Sequence, residues 1–474
     1  MSAAMNQSTL GSTWGEFLWG RNALRCLAVV GGVALHATNV YIAATIMPSV
    51  VLEIGGLQYY AANTTLFVVS SIVGSALSSR LMASFGARSA YLSALAIFAL
   101  GTLLCATAPT MPWMLAGRAV QGLGGGFLFA LSYGLIRHLF EERMWPRAMA
   151  MISAMWGLAT LCGPAIGGVF AELGTWRLAF WSLLPFVVVL GGVVATQLPR
   201  RGADGEETTR TALVQVLLLA ASVLAVSVSS LSETPGIGKI AGVVVGILMG
   251  VVLARVDKRA AVRLLPTGAY SLRTMLGRLY ATMSLLVVGL TTEIFVPYFL
   301  QEIHGCSPLR AGYLTVLMAG GWTIASLLFS GRVGAATTRL IRIGPVLVSA
   351  SLATLAVTMP RTTQLESPLG MTVFGIALVG TGFGIGMAWP HLLTRVFTSA
   401  PENENSLTAA SVTTVQLYAM ALGTAIGGLV TNAGGMSTGG LAGAQHASSW
   451  LFGVFALAPF LGIWQARRLP HPSK

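Results

Sequence analysis

Fifteen of the 474 residues are Asp or Glu, and almost all of them fall in or beside polar stretches. Glu293 does not. It sits in Thr291-Thr292-Glu293-Ile294-Phe295-Val296-Pro297-Tyr298, inside an apolar run. An ionised carboxylate in hydrocarbon costs at least several kcal/mol, so such a residue must face a bundle interior or a wet cavity. A protonatable acid in a water-accessible cavity is what proton coupling requires. The same acid could instead counter a cationic ligand, or hydrogen-bond at an interface and do nothing more. Arg118 is the only base well inside an apolar run, and it heads Arg118-Ala-Val-Gln121-Gly122-Leu-Gly124-Gly125-Gly126. A phosphate-binding loop does not fit this stretch, because no strand precedes it. Close helix packing explains the glycines. It does not explain the Arg–Gln pair, since a buried guanidinium needs acceptors. Arg118 is read as the group that ties the acid into the bundle through hydrogen bonds.

Other polar, aromatic or sulfur side chains on apolar runs are candidates for a cavity wall: His36, Asn39, Tyr41, Gln121, Met155, Trp156, Trp322, Trp389 and Gln416. Singly, each type serves more often as packing or as an interface anchor. As a set, rich in aromatics and poor in charge, they suit bulky apolar ligands. His391 is a second group able to titrate. A different kind of candidate is the stretch Gly157-Leu-Ala-Thr-Leu-Cys-Gly163-Pro164-Ala-Ile-Gly167-Gly168. Proline removes a helix hydrogen bond and glycine leaves no side chain in the way. A helix carrying both can bend and can admit another backbone closely, so these five residues are candidates for a hinge or seal. Cys26, Cys105, Cys162 and Cys306 show neither metal spacing nor a CxxC pair, and are read as small packing residues.

The elements that must position these groups are set by composition. The chain is 55 % hydrophobic and 9 % charged, with a mean hydropathy of +0.76. Soluble domains carry roughly a quarter charged residues. Most of this chain is therefore expected in lipid. Fourteen apolar runs have spanning length: residues 27–50, 59–85, 89–108, 113–139, 145–170 and 176–198, then 211–231 and 237–256, then 279–300, 311–333, 343–359, 370–397, 407–430 and 449–465. The first run is too long for a signal-peptide core and is expected to remain as a span. The expected division is a cytoplasmic segment 1–26, a six-helix half 27–198, connectors with two additional helices 199–278, a second six-helix half 279–467, and a tail 468–474. The two central helices read as lipid-facing fillers.

The net charge of +13 does not signal nucleic acid, because the charges lie in short loops. With the N-terminus inside and alternating crossings, only Arg177, Lys239, Arg310 and Arg361 of the 28 Lys and Arg fall in outer loops. Arg118 lies in a span and the others lie inside, so both termini are expected in the cytoplasm. Two six-helix halves suggest a parallel repeat with a ligand site at their interface near the midplane. The internal echo is a Gly-rich run in each half, Gly122–Gly126 and Gly380–Gly386.

Arg118-x-x-Gln121-Gly122-x-Gly124, followed by Gly157-x5-Gly163-Pro164-x-x-Gly167-Gly168, resembles the paired signatures of the major facilitator superfamily. The second signature is typical of its drug:proton antiporters. Trp176-Arg177 with Pro185, the segment Gln301 to Gly312, and Gly382-Phe-Gly384-Ile-Gly386 with Pro390 are further matches. With two extra central spans, the chain resembles the fourteen-span branch. Two places depart from the pattern. Ala83 and Ser84 stand where an inner-loop Asp-Arg pair is usual, and Asn39, nine residues before Pro48, stands where the branch tends to place an Asp.

The resemblance implies an all-α membrane protein of the major facilitator fold, with fourteen helices arranged as 6+2+6 in two pseudo-symmetric halves. It implies proton-coupled export of amphipathic compounds by alternating access across a bacterial plasma membrane. The proton gradient would be the energy source, with no cofactor and no metal. The partners would be small amphipathic substrates, protons and the lipid bilayer, and the chain would work as a monomer. Since Asn39 cannot release a proton, the coupling role falls on Glu293, assisted by Arg118. The same fold exporting one dedicated metabolite or siderophore is the nearest alternative. A membrane-embedded enzyme is remote, because the chain has no cluster of acids or His at a membrane face.

Overall fold

The computed structural model describes residues 19–199, 212–231 and 237–468. The charged connector expected from 199 to 210 and the turn at 232–236 therefore lie almost wholly outside the described residues. The described chain is a bundle of α-helices joined by short turns. In hydrocarbon only a helix or a closed barrel satisfies every backbone N–H and C=O.

The first half is α1 (Gly20–Ile54), α2 (Tyr60–Ala106), α3 (Met111–Leu139), α4 (Trp145–Glu172), α5 (Trp176–Trp181) and α6 (Leu183–Gln197). Two central helices follow, α7 (Leu213–Ser229) and α8 (Ile237–Arg259). The second half is α9 (Met275–Leu290), α10 (Val296–His304), α11 (Pro308–Phe329), α12 (Ala335–Thr358), α13 (Pro368–Ser399), α14 (Asn405–Ala433) and α15 (Gly440–Arg467).

Three breaks have covalent causes. α2 is two limbs joined at Gly86, whose φ of 77° and ψ of 162° leave the helical region. Only glycine adopts that φ without strain. The expected inner loop is thus reduced to a single kinked residue. Between α5 and α6 the helix interrupts at Ser182, one residue after the carbonyl of Trp181 that the ring of Pro185 would strike. Between α9 and α10 the chain tightens to a 3-10 segment, Thr291–Phe295. Pro297 cannot donate to the carbonyl of Glu293, and that carbonyl instead accepts from the Val296 N–H.

Twelve helical stretches among the described residues are long and apolar enough to cross a membrane. One of them, Leu57–Ala106, contains the Gly86 kink, and α7 is a shorter apolar helix outside that set. α1 begins seven residues before the expected start at 27.

The two halves meet along two seams. α4 packs on α11, and α2 packs on α14. Of the two central helices expected to face lipid, α8 does so and α7 does so only in part. α7 lies in the second seam, against both α2 and α14. Its Val216, Leu219, Val223 and Val226 are buried in one cluster with Phe67, Val68, Ile72, Ala421 and Ala425. α8 packs on the back of α7 and exposes Ile240, Ile247 and Leu248.

Candidate functional site

Glycine sets how closely the helices of each half approach. A Cβ on Gly122 would strike the backbone of Phe67, and one on Gly126 the backbone of Ser71. With the small residues in register, Ser71 Oγ donates to the Gly122 carbonyl at 2.9 Å and Ser75 Oγ to that of Gly126 at 3.0 Å. The second half repeats the device. Gly382 and Gly386 of α13 lie on the backbone of Met318 and Trp322, and Ser326 Oγ donates to the Gly386 carbonyl at 3.2 Å.

The α4 glycines work between elements. Gly163 abuts Tyr41 and Ile42 of α1, and Gly167 lies against Thr45 and Ile46. A Cβ on Gly168 would come within 2.7 Å of the Leu309 Cα in the other half. Pro164 faces Gly312 of α11. Gly157 is the exception, with open space around it.

Three hydrogen bonds join the halves near this end. The Leu309 N–H donates to Glu172 Oε1 at 3.3 Å, the Tyr60 hydroxyl to the Ile294 carbonyl at 3.2 Å, and Asn432 Nδ2 to the Gln58 carbonyl at 2.9 Å. Tyr60 also stacks on Phe295 at 5.7 Å and tilts onto Tyr298 at 5.6 Å. Trp176 and Arg177 anchor the same end, both donating to the Glu53 carboxylate, while Arg177 Nη2 reaches the Ala108 carbonyl at 2.9 Å.

Arg118 is buried in the first half. Its Nη1 donates to Gln121 Oε1 at 2.6 Å and its Nε to the Asn63 carbonyl at 3.4 Å. The guanidinium lies 4.1 Å from the centre of the Phe67 ring. Gln121 is oriented in turn by donating from Nε2 to Thr102 Oγ1 at 2.9 Å. His36 lies 5.2 Å from Phe67, 5.4 Å from Phe129 and 6.2 Å from Trp156, ring to ring. His36, Gln121, Trp156 and Arg118 thus share one neighbourhood. Asn39 lies one turn from His36 on α1, fully buried, and neither amide atom has a protein partner.

Glu293 is half-buried in the 3-10 segment. Its neighbours Ile294 and Phe295 touch the first half, through the Tyr60 hydroxyl and ring respectively. Neither among the ion pairs of the described residues nor among the bonds of Arg118 does Glu293 meet Arg118. The Arg118 bonds described above go to neutral acceptors within its own half. In the second half Trp322 and Trp389 pack on each other at 5.2 Å. Met155 and Gln416 are half-buried on α4 and α14. His391 is buried, with Nε2 lacking a partner. Cys26, Cys105 and Cys306 are buried free thiols, and Cys162 is half-buried.

The structure adds Asn63, Phe67, Phe129 and Tyr60 to the candidates. The run Asn63-Thr64-Thr65 inside an apolar stretch is a signal for the first. The aromatics carry none that separates them from ordinary packing residues.

Long apolar helices packed in two groups that meet along two seams define a multi-pass membrane protein. The chain belongs to the Major Facilitator Superfamily, whose profile matches residues 29–427. A probable multidrug-efflux transporter of Mycobacterium tuberculosis (strain ATCC 25618 / H37Rv) is 35 % identical over 479 aligned residues, covering 97 % of this chain and 98 % of that protein. The multidrug transporter protein MdtP of Bacillus subtilis (strain 168) is 27 % identical, covering 78 % of this chain and 68 % of that one. Among solved structures, a D-xylose-proton symporter superposes with a TM-score of 0.63 at 14 % identity, over 95 % of this chain and 99 % of that one. This last likeness concerns the fold alone. The protein is a multi-pass membrane transporter and not an enzyme.

Proposed function

We propose that the chain exports amphipathic, largely apolar compounds across a bacterial plasma membrane by alternating access, in exchange for protons. The observation that carries the reading is the place of Glu293. It is a carboxylate inside a span, held by a proline-tightened segment where the halves meet. A group there feels both the proton it carries and the closure of the seam. The relatives named for multidrug transport support the substrate class. The aromatic wall of His36, Phe129 and Trp156 suits flat apolar molecules.

In this mechanism Glu293 takes a proton from outside and releases it inside. Its protonation disfavours substrate in the outward-open state, and that competition is a reciprocal coupling. Gly163, Pro164, Gly167 and Gly168 form the seal that opens and recloses against α1 and α11. We further propose fourteen crossings, counting the two limbs of α2 separately and including α7. This places both termini in the cytoplasm and gives two six-helix halves with α7 and α8 between them. The unit of transport is the monomer, and the proton gradient is its only energy source.

The test is substrate-driven proton movement in inverted vesicles, comparing the parent with Glu293→Gln. The parent is expected to move protons when a lipophilic cationic dye is added, and the variant is expected not to. A variant that couples as well as the parent removes Glu293 from the mechanism. A parent that transports without moving protons removes the antiport.

A further inference from the structure

One end of the second half carries an open groove with apolar walls and a basic rim. It lies where α9 begins and α15 ends, between two helices that pack on each other. Leu272, Ala281, Leu285, Leu461 and Trp464 line it. Its volume is about 340 Å³, within the range of ligand-sized cavities. Leu272, Leu461 and Trp464 are exposed, and the exposed Leu457 and Phe460 continue the apolar face toward the middle of α15.

Arginines tie the rim together. Arg278 donates from Nε to the Leu272 carbonyl and from Nη1 to the Arg468 carbonyl, both at 2.8 Å, and so bridges the two walls. These bonds use two of the five N–H donors of a guanidinium. The Arg468 guanidinium lies 3.5 Å from the centre of the Trp464 ring, at the groove itself. From α12, Arg342 donates to the Ala466 and Arg467 carbonyls at 3.4 and 3.2 Å. A helix C-terminus has unpaired carbonyls and partial negative charge. Here two guanidiniums answer both, so the end of α15 does not repel an anion. None of α9, α12 and α15 contains an Asp or Glu. Among the described residues no ion pair holds Arg278 or Arg468. Tryptophan and arginine together at the end of a span mark the level of the lipid headgroups.

We propose that this groove binds an anionic phospholipid, with Arg278 and Arg468 at its phosphate and one acyl chain along Leu285, Leu461 and Trp464. Charge complementarity selects the headgroup, because a zwitterionic lipid brings a cation that the rim has no acid to meet. The apolar walls select a lipid chain over a soluble solute. The site depends neither on Glu293 nor on the direction of transport.

Brominated lipids quench tryptophan on contact and so read the groove directly. The full chain is reconstituted in phosphatidylcholine vesicles holding a minority of brominated phosphatidylglycerol, or the same fraction of brominated phosphatidylcholine. The quenching lost in Trp464→Phe is the contribution of the groove. That contribution is expected to be severalfold larger with phosphatidylglycerol. Arg468→Gln is expected to weaken the preference about fivefold, and Arg468→Lys to keep most of it, since a point charge also holds a phosphate. Ala281→Phe, which fills the groove and leaves the charges, is expected to remove the preference. Equal quenching of the parent by the two lipids overturns the site. So does an excess with phosphatidylglycerol that is the same in Trp464→Phe, or a full preference in Arg468→Gln. No Trp464 contribution with either lipid means that protein, such as a second copy of the chain, covers the groove, and overturns it too. Glycerol phosphate in the buffer is expected to leave the quenching unchanged. Relief of quenching by it assigns the arginines to a soluble anion instead of a lipid.

Discussion

A guanidinium shut away from water takes whatever acceptors its neighbours leave it. Arg118 has Gln121 Oε1 at 2.6 Å, and Gln121 is itself aimed by Thr102. Gln121→Leu keeps the bulk and removes the acceptor, leaving a charged donor short of a partner. Such a loss costs about 3 kcal/mol. The expected outcome is a clear fall in the Tm of the purified protein. Thr102→Val should give a smaller one, because it only frees Gln121 to turn. Equal effects would mean that orientation, not the acceptor, is what matters. The two charged members of this region were legible in the sequence because a charge within an apolar run is too costly to stand there without a partner or a role. Asn63 was half legible: the polar run Asn63-Thr64-Thr65 marks it, but its contact with Arg118 is made by the backbone carbonyl. Tyr60 was not legible, because a hydroxyl reaching a backbone oxygen leaves no pattern in side-chain spacing.

Between helices, packing distance decides what a substitution does. Gly168 approaches the backbone of Leu309 at a distance that leaves no room for a methyl group, while Gly157 faces open space. Gly168→Ala is expected to wedge the α4–α11 seam and hold it apart. A cysteine pair placed across that seam at the same level should then cross-link several-fold less readily. Gly157→Ala should transport and cross-link as the parent does. Both glycines belong to one sequence motif, and the sequence treats them alike; only the packing separates them. The breaks at Gly86, Ser182 and Thr291–Phe295 were half legible. The prolines and glycines are visible, but which of them interrupts a helix depends on what the neighbouring helices supply. Proline at 164 is accommodated inside α4, whereas Pro297 accompanies a change of helix type.

The connector after α8 offers a pH-dependent element outside the spans. The Glu404 carboxylate accepts from the Thr267 hydroxyl at 2.7 Å and the Thr267 N–H at 2.6 Å, with Arg263 at 3.6 Å. The Thr267 hydroxyl bond first, then the N–H bond and the Arg263 charge, hold its pKa below the ordinary 4.5. A depressed carboxylate contributes stability that is complete above its unfolded pKa and is lost as pH falls through the folded one. Amide exchange in 263–268 should therefore quicken below pH 4.5 beyond the intrinsic trend. Glu404→Gln should remove that excess. An unchanged profile in the variant would assign the acid response elsewhere.

At the scale of the whole molecule, the open quantity is how often the chain crosses the bilayer, and α7 decides it. Seventeen residues of helix span about 25 Å, against a hydrocarbon core of about 30 Å. One face of α7 is nevertheless buried against α2 and α14, while Val214, Leu217 and Val228 stay exposed, so its short length is met in part by protein. Composition could mark it as apolar but could not say which face is covered, so the lipid-facing role read from sequence holds for α8 and only in part for α7. If α7 crosses, Lys239 lies on the outer face and Arg273 on the inner. In a background with Cys26, Cys105, Cys162 and Cys306 replaced by alanine or serine, Lys239→Cys is expected to react with a membrane-impermeant maleimide in intact cells. Arg273→Cys is expected to react only after permeabilisation. If both residues react only after permeabilisation, α7 and α8 enter and leave by the inner face and the count falls to twelve. If Lys239→Cys is inside and Arg273→Cys outside, the whole orientation drawn from the Lys and Arg distribution is reversed, and so is the face from which Glu293 would receive its proton.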